Sequence, residues 1–594
     1  MLQSPDTDQD SGGRDSWQSA ARFALLEVFF IFVVFFVHAG FPTPDDSEAH
    51  YLAIAKHAWN PEWIPNDLLL NSTNVHVVFS TALGWISRFA PLSVFAWSGR
   101  VITWLLLAWG WRRLAVAITP QRLFAVLSAA LFVTFCQYFN MSREWAVGGM
   151  EAKALSYAFV LFGLERIVRN HWNQALALLG IATSVHVVVG GWATLAAGVC
   201  WLFGKAERPP LLTLLPGLFA ALLLAQPGLL PALRLLSTAD PADAAIANKV
   251  YVFYRLPHHL WPPQMEWWHI ARHFALIVFA VMAFRYVVGL LKTSSSAADE
   301  EPQMAQDPAN HGLASDETLT AHNKNVNEET TLRLRRLLLM TLAAVGFCTV
   351  GLVFAFACFW TRSLQWIDDA TVASVMKFYW FRLSDVLVPT AAALFATHGI
   401  MLSLARDSKW GRGALVAALA IVTAHLGFLA LHHQAVTVPR ADSRSMITNF
   451  ADWRSICRDA TALPGANGPA RFITPWNAVT FKWYSSRSDV VCLKDIPQDA
   501  ASIVKWWETM KDIYLERSET GFAPRGSFTE YPVAELLQFS RDYDADYLIT
   551  ESTPEIPGLP RVAVNRSYAI YQLRAVPSSS GAAPGSTSEN APGK

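Results

Sequence analysis

FALLEVFFIFVVFFVHAGF, residues 23–41, is followed at once by PTPDDSEAHYLA, residues 42–53. The first stretch is nearly all aliphatic or aromatic and is as long as a bilayer-spanning helix, which needs about 20 apolar residues. It has no short apolar core ending in a small-residue cleavage site, so it reads as an anchor and not as a removable signal. The second stretch sets Asp45, Asp46 and Glu48 within a four-residue window just past the expected membrane surface, then His50 and Tyr51. The fold class and the functional question both start from this junction.

Outward from it, the composition agrees with a membrane chain. Of 594 residues, 53% are hydrophobic and 16% charged, where a soluble domain carries about 25% charged residues. The 24 Trp and 36 Phe fit rings placed at membrane interfaces. The formal net charge is zero, which gives no basis for a nucleic-acid partner. The expected fold is mainly α, a polytopic bundle of about eleven transmembrane helices with a small C-terminal α/β domain. The expected spans are 22–40, 93–111, 122–139, 151–168, 173–187, 189–204, 210–231, 270–291, 336–359, 385–404 and 413–432. The stretch 75–90 reads as a helix along the surface. Residues 1–20, the polar segment 293–335 and the tail 576–594 read as disordered, and 436–575 as the α/β domain.

Basic residues recur in alternate connections: Arg112, Arg113 and Arg122; Arg166 and Arg169; Lys205 and Arg208; Arg406, Lys409 and Arg412. The positive-inside rule puts these in the cytoplasm. An odd number of spans then leaves the N-terminus cytoplasmic and the C-terminal domain extracytoplasmic in a multi-pass protein of the plasma or inner membrane. On this topology Cys457 and Cys492 have access to an oxidising compartment and could pair. The other four cysteines lie in apolar runs.

The same topology gathers the unusual loops outside. They are 42–71 with its acids, 140–151 (NMSREWAVGGME), 184–192 (SVHVVVGGW), 248–263 (NKVYVFYRLPHHLWPP) and 361–385 (TRSLQWIDDATVASVMKFYWFRLSD). Carboxylates at a membrane surface are costly and are kept for binding or proton transfer. They could serve as a general base or hold a divalent cation. Arg255, His258, His259, Lys377 and Arg382 form the facing basic set, and arginine forks match phosphate oxygens. The His258-His259 pair is a weak metal signal, since no further ligand follows at a defined spacing. Arg143 and Lys153 read as snorkelling at helix ends. His186 reads as a hydrogen-bonded core histidine, and Asp385 as a cap of the next helix.

Ser47-Glu48-Ala49-His50-Tyr51 resembles the D-E-x-H-[FY] motif in the first outer loop of the GT-C class of integral-membrane glycosyltransferases. That class includes the protein O-mannosyltransferases and the aminoarabinose transferases of lipid A. GGMEAKALSYAFVLFGLERIVRN (148–170) is similar to the start of the class's second conserved helix, with Glu151 in the usual acidic place. The resemblance covers roughly residues 20–435 and is strongest over 42–170. YRLPHH and FRLSD are not general to the class and resemble an uncharacterised bacterial branch that shares the architecture.

The resemblance implies transfer of a sugar from a polyprenyl-phosphate donor to a glycan, lipid or protein acceptor on the outer face. It implies Asp46, Glu48 or Asp45 as base and Arg255, His258, His259, Lys377 and Arg382 toward the donor phosphate. Cofactor use is open, with a divalent cation as the one option. Ser47 stands where the class has its catalytic aspartate. Either Asp46 takes the role, or Glu48 does, or this branch keeps the fold without the chemistry. A transporter or flippase is the competing class, but no internal repeat is visible and the unusual residues cluster at one face.

Overall fold

The computed structural model describes residues 9–205, 207–300, 313–361, 367–445, 447–518 and 521–575. The segments 1–8, 301–312 and 576–594, which include parts of the stretches read as disordered, lie outside the described residues. Where those stretches are described, they are helical. The first helix begins at Gln9, and helices run up to Glu300 and on from Leu313.

The chain up to residue 435 is helical in chain order. The helices are α1 (Gln9–Ala39), α2 (Glu48–Trp59), α3 (Val77–Gly84), α4 (Leu92–Ile118), α5 (Phe124–Phe139), α6 (Ala152–Val168), α7 (Trp172–Val185) and α8 (Val187–Phe203). They continue with α9 (Leu215–Thr238), α10 (Pro241–Lys249), α11 (Pro257–Leu260), α12 (Trp267–Glu300), α13 (Leu313–Trp360), α14 (Asp369–Met376), α15 (Ser384–Ala405) and α16 (Lys409–Ala435). Seven described segments are helices long and apolar enough to cross a membrane: 18–39, 92–118, 211–238, 267–293, 324–360, 384–405 and 409–435. The physical reason for the form is that a backbone in hydrocarbon must satisfy its own hydrogen bonds. α5 and α8 are apolar but shorter, and α7 has 14 residues. At 1.5 Å per residue such a helix is about 21 Å long, short of a hydrocarbon layer of about 30 Å.

Burial separates the helices by position. The most apolar stretch of α15 is 83% buried, whereas those of α1, α12 and α16 are 22% buried. α15 is therefore the central helix, and the other three turn apolar faces outward. The core around them holds Trp104, Trp111, Phe35 and Phe132, with the rings of Trp111 and Phe132 stacked 4.5 Å apart. α7 and α9 approach closely because Gly228 has no side chain: a Cβ there would meet the Ser184 carbonyl oxygen at 2.1 Å.

The chain forms two compact units. The first holds residues up to 59, 73–440 and 498–504; the second holds 60–72, 441–497 and the chain from 505. The sequence division near 435 is thus crossed twice. Residues 60–72, read as part of the first outer loop, belong with the C-terminal unit, and residues 498–504 belong with the helical one.

The second unit has a five-stranded sheet in the order Ser488–Asp489, Arg471–Ile473, Tyr547–Glu551, Tyr568–Gln572, Arg561–Val564. The first three strands are parallel and the last two pairings antiparallel. The edge strand Ser488–Asp489 is short, and beyond it the Val490 amide donates to the Phe472 carbonyl and the Leu493 amide to the Trp476 carbonyl, both at 2.8 Å. Trp453 and Ile456 from the amphipathic helix Phe450–Ala462 cover the sheet residues Phe472, Tyr547 and Ile570. Cys457 and Cys492 are both buried free thiols, so the pairing entertained for them does not form.

Candidate functional site

The acidic loop is built around one buried ion pair. Glu48 opens α2 and is fully buried, as is Arg100 in α4. Arg100 Nε and Nη2 each donate to one oxygen of Glu48, both at 2.6 Å. The Met150 amide donates to Oε1 at 2.6 Å and the Asp45 amide to Oε2 at 2.7 Å. Arg100 Nη1 reaches the Phe41 carbonyl. Four donors on two oxygens make Glu48 the fastener between the loop, α4 and the turn before α6. Gly149 lets that turn approach, since a Cβ on it would lie 2.9 Å from Asp45 Cβ and 3.0 Å from Glu48 Cγ. Asp45 is buried, accepts from the Asp46 amide at 2.8 Å, and has Arg440 at 3.9 Å. Asp46 is half-buried. His50 is buried with its ring 5.5 Å from that of Tyr51. With Glu48 committed to Arg100, this loop brings no three ligand atoms together for a metal among the described residues.

A second charged cluster lies on the turn that carries Glu144 and Glu151. Arg382 Nε is 3.1 Å from Glu144, and its guanidinium sits 3.8 Å over the Tyr379 ring. Lys153 is 3.8 Å from Glu144, 3.5 Å from Glu151 and 3.9 Å over the ring of Trp145. The snorkelling expected of Lys153 is therefore replaced by a buried role, because two carboxylates and a ring offer it more than the surface does. Burial opposes the charge of Arg382, yet Glu144 and the phenols of Tyr379, Tyr157 and Tyr51 outweigh it and hold its pKa above the usual value. Tyr157 donates to both Glu144 and the Arg382 carbonyl at 3.4 Å.

Asp385 positions this turn. It does not cap its own helix as expected. Instead it accepts from the amides of Met141 (2.7 Å) and Ser142 (2.8 Å) and from the Ser142 hydroxyl (2.7 Å). His259 Nδ1 lies 2.5 Å from the Ser142 carbonyl, so it too serves the turn. Arg143, just past these contacts, has φ 57°. A left-handed non-glycine residue is held only where its surroundings over-determine it.

A cavity of about 540 Å³ opens beside Arg382 in the helical unit. Its lining mixes the polar side chains of Tyr51, His76, His186, Lys377, Tyr379 and Arg382 with the apolar ones of Val187, Trp192, Leu195, Leu235 and Leu236. The His76 and His186 rings are 4.9 Å apart, and Arg382 Nη1 is 3.4 Å from His186 Nε2. His186 also accepts from the Val189 amide, opening α8. Burial, then His50 and Arg382, depress the His76 pKa to about 3, so its ring is neutral. Lys377 donates to Asn248 at 3.1 Å. The Tyr251 and Tyr379 hydroxyls are 2.9 Å apart. Tyr251 belongs to a π-helical turn, Val250–Arg255, a form common at functional sites.

Of the residues singled out from sequence, Lys377, Arg382 and His186 line this cavity. Asp45, Asp46, Glu48, Glu151, Asp385, Arg255, His258 and His259 do not. Arg255 ends the π-helical turn, and His258 packs its ring 4.1 Å from that of His259. Sequence reasoning missed Arg100, Glu144 and His76 as members of the constellation, and named Tyr51 only as part of the loop motif. Arg100 carried a readable signal, an arginine inside an apolar run that must find a buried partner.

One family model matches part of the chain. Residues 451–513 match DUF6798, a domain of unknown function. The DUF6798 match lies in the C-terminal region and includes the segment 498–504 that packs with the helical unit. No curated protein matches the chain.

Proposed function

We propose that the protein is a membrane glycosyltransferase of GT-C type that takes a sugar from a polyprenyl-phosphate donor at the outer membrane face. The observation that carries this reading is the cavity's mixed cationic and apolar lining. Arg382 and Lys377 with nearby phenols and imidazoles suit a phosphate, and the leucine and valine side chains of the same lining suit a prenyl chain. On this reading the shorter helices α5 to α8 complete about eleven spans as thin or tilted crossings. The N-terminus is cytoplasmic and the C-terminal unit extracytoplasmic.

In the transfer, an acceptor hydroxyl loses its proton to a carboxylate as its oxygen attacks C1 of the sugar. The bond from C1 to the phosphate oxygen breaks, and Arg382 and Lys377 stabilise the charge that develops on the departing phosphate. Glu48 has no oxygen to spare for the proton, because Arg100 and two amides occupy it. Asp46, half-buried and one residue before Ser47, is the better base. A second reading, lipid-phosphate binding without transfer, is favoured by one observation: none of the three loop acids lines the cavity.

Reconstituted protein, incubated with a panel of radiolabelled polyprenyl-phosphate sugars, separates these readings. The transferase releases sugar to an acceptor and Asp46→Asn stops release without loss of binding. Arg382→Gln weakens binding about 10- to 100-fold, the loss of one charge-assisted contact of about 1.5–3 kcal/mol. Binding with no release in the wild type selects the second reading. No binding by the wild type sinks both.

A further inference from the structure

The C-terminal unit holds a buried charge cluster that the proposed transfer does not use. Lys482, in the short helix Phe481–Ser485, is 2% exposed. Its ammonium donates to Asp489 at 2.7 Å and Asp495 at 2.6 Å, and lies 3.4 Å from Asp67. All three carboxylates are buried, at 2%, 4% and 1% exposure. Cys492, 1% exposed, stands between Asp489 and Asp495 in sequence, giving D-V-V-C-L-K-D over 489–495.

Lys482 does not settle this cluster. With all three carboxylates ionised, one ammonium leaves two negative charges in a buried place, and uncompensated buried charge is strongly disfavoured. One atom marks the deficit. Asp489 Oδ1 takes the lysine, but Asp489 Oδ2 is buried with no hydrogen-bond partner. An orphaned acceptor of this kind costs about 1–3 kcal/mol, more when charged, and native structures rarely keep one without a reason. Meanwhile a carboxylate oxygen of Asp489, the Cys492 sulfur and a carboxylate oxygen of Asp495 all lie within 4.8 Å of one another. Ligands on one tetrahedral zinc ion, at about 2.0–2.3 Å from it, sit about 3.3–3.8 Å apart. The convergence is thus within a small side-chain adjustment of coordination.

We propose that Asp489, Cys492 and Asp495 form a binding site for a divalent cation, with Zn²⁺ the best match to a mixed thiolate and carboxylate set. A hard ion such as Mg²⁺ gains little from sulfur, whereas zinc binds Cys and Asp together. On binding, the thiol gives its proton to solvent and its sulfur bonds the metal. Lys482 then pairs with Asp67, whose Oδ2 is already within its reach and is further held by the Ser488 hydroxyl at 3.3 Å. The ion brings the positive charge that the cluster lacks. All of these residues belong to one compact unit, and the D-V-V-C-L-K-D segment lies inside the DUF6798 match. The backbone around the thiol is fixed from outside the cluster, with Trp506 Nε1 donating to the Cys492 carbonyl at 2.9 Å.

The test uses full-length protein in nanodiscs, stripped with a chelator and titrated with Co²⁺. The expected result is one Co²⁺ per chain with a thiolate-to-cobalt absorption band that Zn²⁺ bleaches. Cys457→Ser keeps the band, Cys492→Ser abolishes it, and Asp489→Asn weakens metal affinity at least about 10-fold. Absence of the band in the wild type, or its survival in Cys492→Ser, overturns the proposal. A readout without variants guards against misfolding: alkylation of Cys492 should slow in Zn²⁺ relative to Cys457. Equal slowing of both thiols, or of neither, assigns the unpaired Asp489 oxygen to a bound proton and refutes the metal site.

Discussion

Replacing Glu48 by Gln tests whether the acid of the resembled motif is a fastener or a base. The amide keeps one acceptor oxygen and turns an NH₂ toward donors that had faced a carboxylate. Whichever way it flips, one of the two Arg100 contacts at 2.6 Å is lost, together with either the Asp45 or the Met150 amide contact. Arg100 stays charged and fully buried, with the Phe41 carbonyl as its remaining full-strength acceptor. Removing one partner of such a pair costs about 3–5 kcal/mol, and charge-assisted bonds at about 1.5–3 kcal/mol each give the same range. Equilibrium unfolding in mixed micelles, followed by tryptophan fluorescence, reads the loss. Arg100→Gln should cost a similar amount, and the double variant should fall short of the sum of the two by about 1.5–3 kcal/mol, as expected for residues in contact. A stability loss below about 1 kcal/mol, with sugar transfer abolished, would refute the reasoning and return Glu48 to the role of base.

Other expectations follow from the same geometry. Gly149→Ala drives a methyl to within 3.0 Å of Asp45 and Glu48; it should destabilise the helical unit by about 1–3 kcal/mol and shift the hydrogen exchange of α2 more than that of α12. Asp385→Asn loses one of the acceptors that hold the 141–142 amides, so the 140–144 turn should become susceptible to proteolysis and lipid-phosphate affinity should drop. In the C-terminal unit, burial pushes Asp442 up to about 6, against the pull of its Thr480 and Tyr484 hydrogen bonds. Its folded pKa exceeds the unfolded value of 3.8, so the folded state binds the proton more tightly and stability falls as pH rises from about 4 to about 6. The penalty is complete above that window and is of the order of 3 kcal/mol at most, at about 1.4 kcal/mol per unit. Hydrogen exchange of the helix Phe450–Ala462 across pH 4.5–7 should show this slope in the wild type and a flatter one in Asp442→Asn.

The sequence by itself determined the helices of the apolar runs, though not the helical extensions over 9–20, 293–300 and 313–335. Long apolar runs such as 23–41 leave the backbone no alternative in hydrocarbon, and the stretches read as spans are mostly helical in the structure, although 173–187 is broken at His186. It also drew attention to Lys377, Arg382 and His186, because charged or imidazole side chains beside aromatic and apolar residues are costly unless something engages them. What the linear chain could not tell was which charge meets which. Glu48 and Arg100 are 52 residues apart, Asp385 and Ser142 are 243 apart, and nothing in local spacing links either pair. Tertiary packing turned Glu48, read as a possible base, and Asp385, read as a helix cap, into fasteners by engaging their oxygens with donors from distant segments. It likewise moved residues 60–72 into the C-terminal unit, where Asp67 joins the Lys482 cluster. Periodicity and hydropathy act within a few turns of chain and so are legible in sequence. Charge pairing in a low-dielectric interior depends on which segments the fold brings within about 3 Å, and only the folded chain decides that.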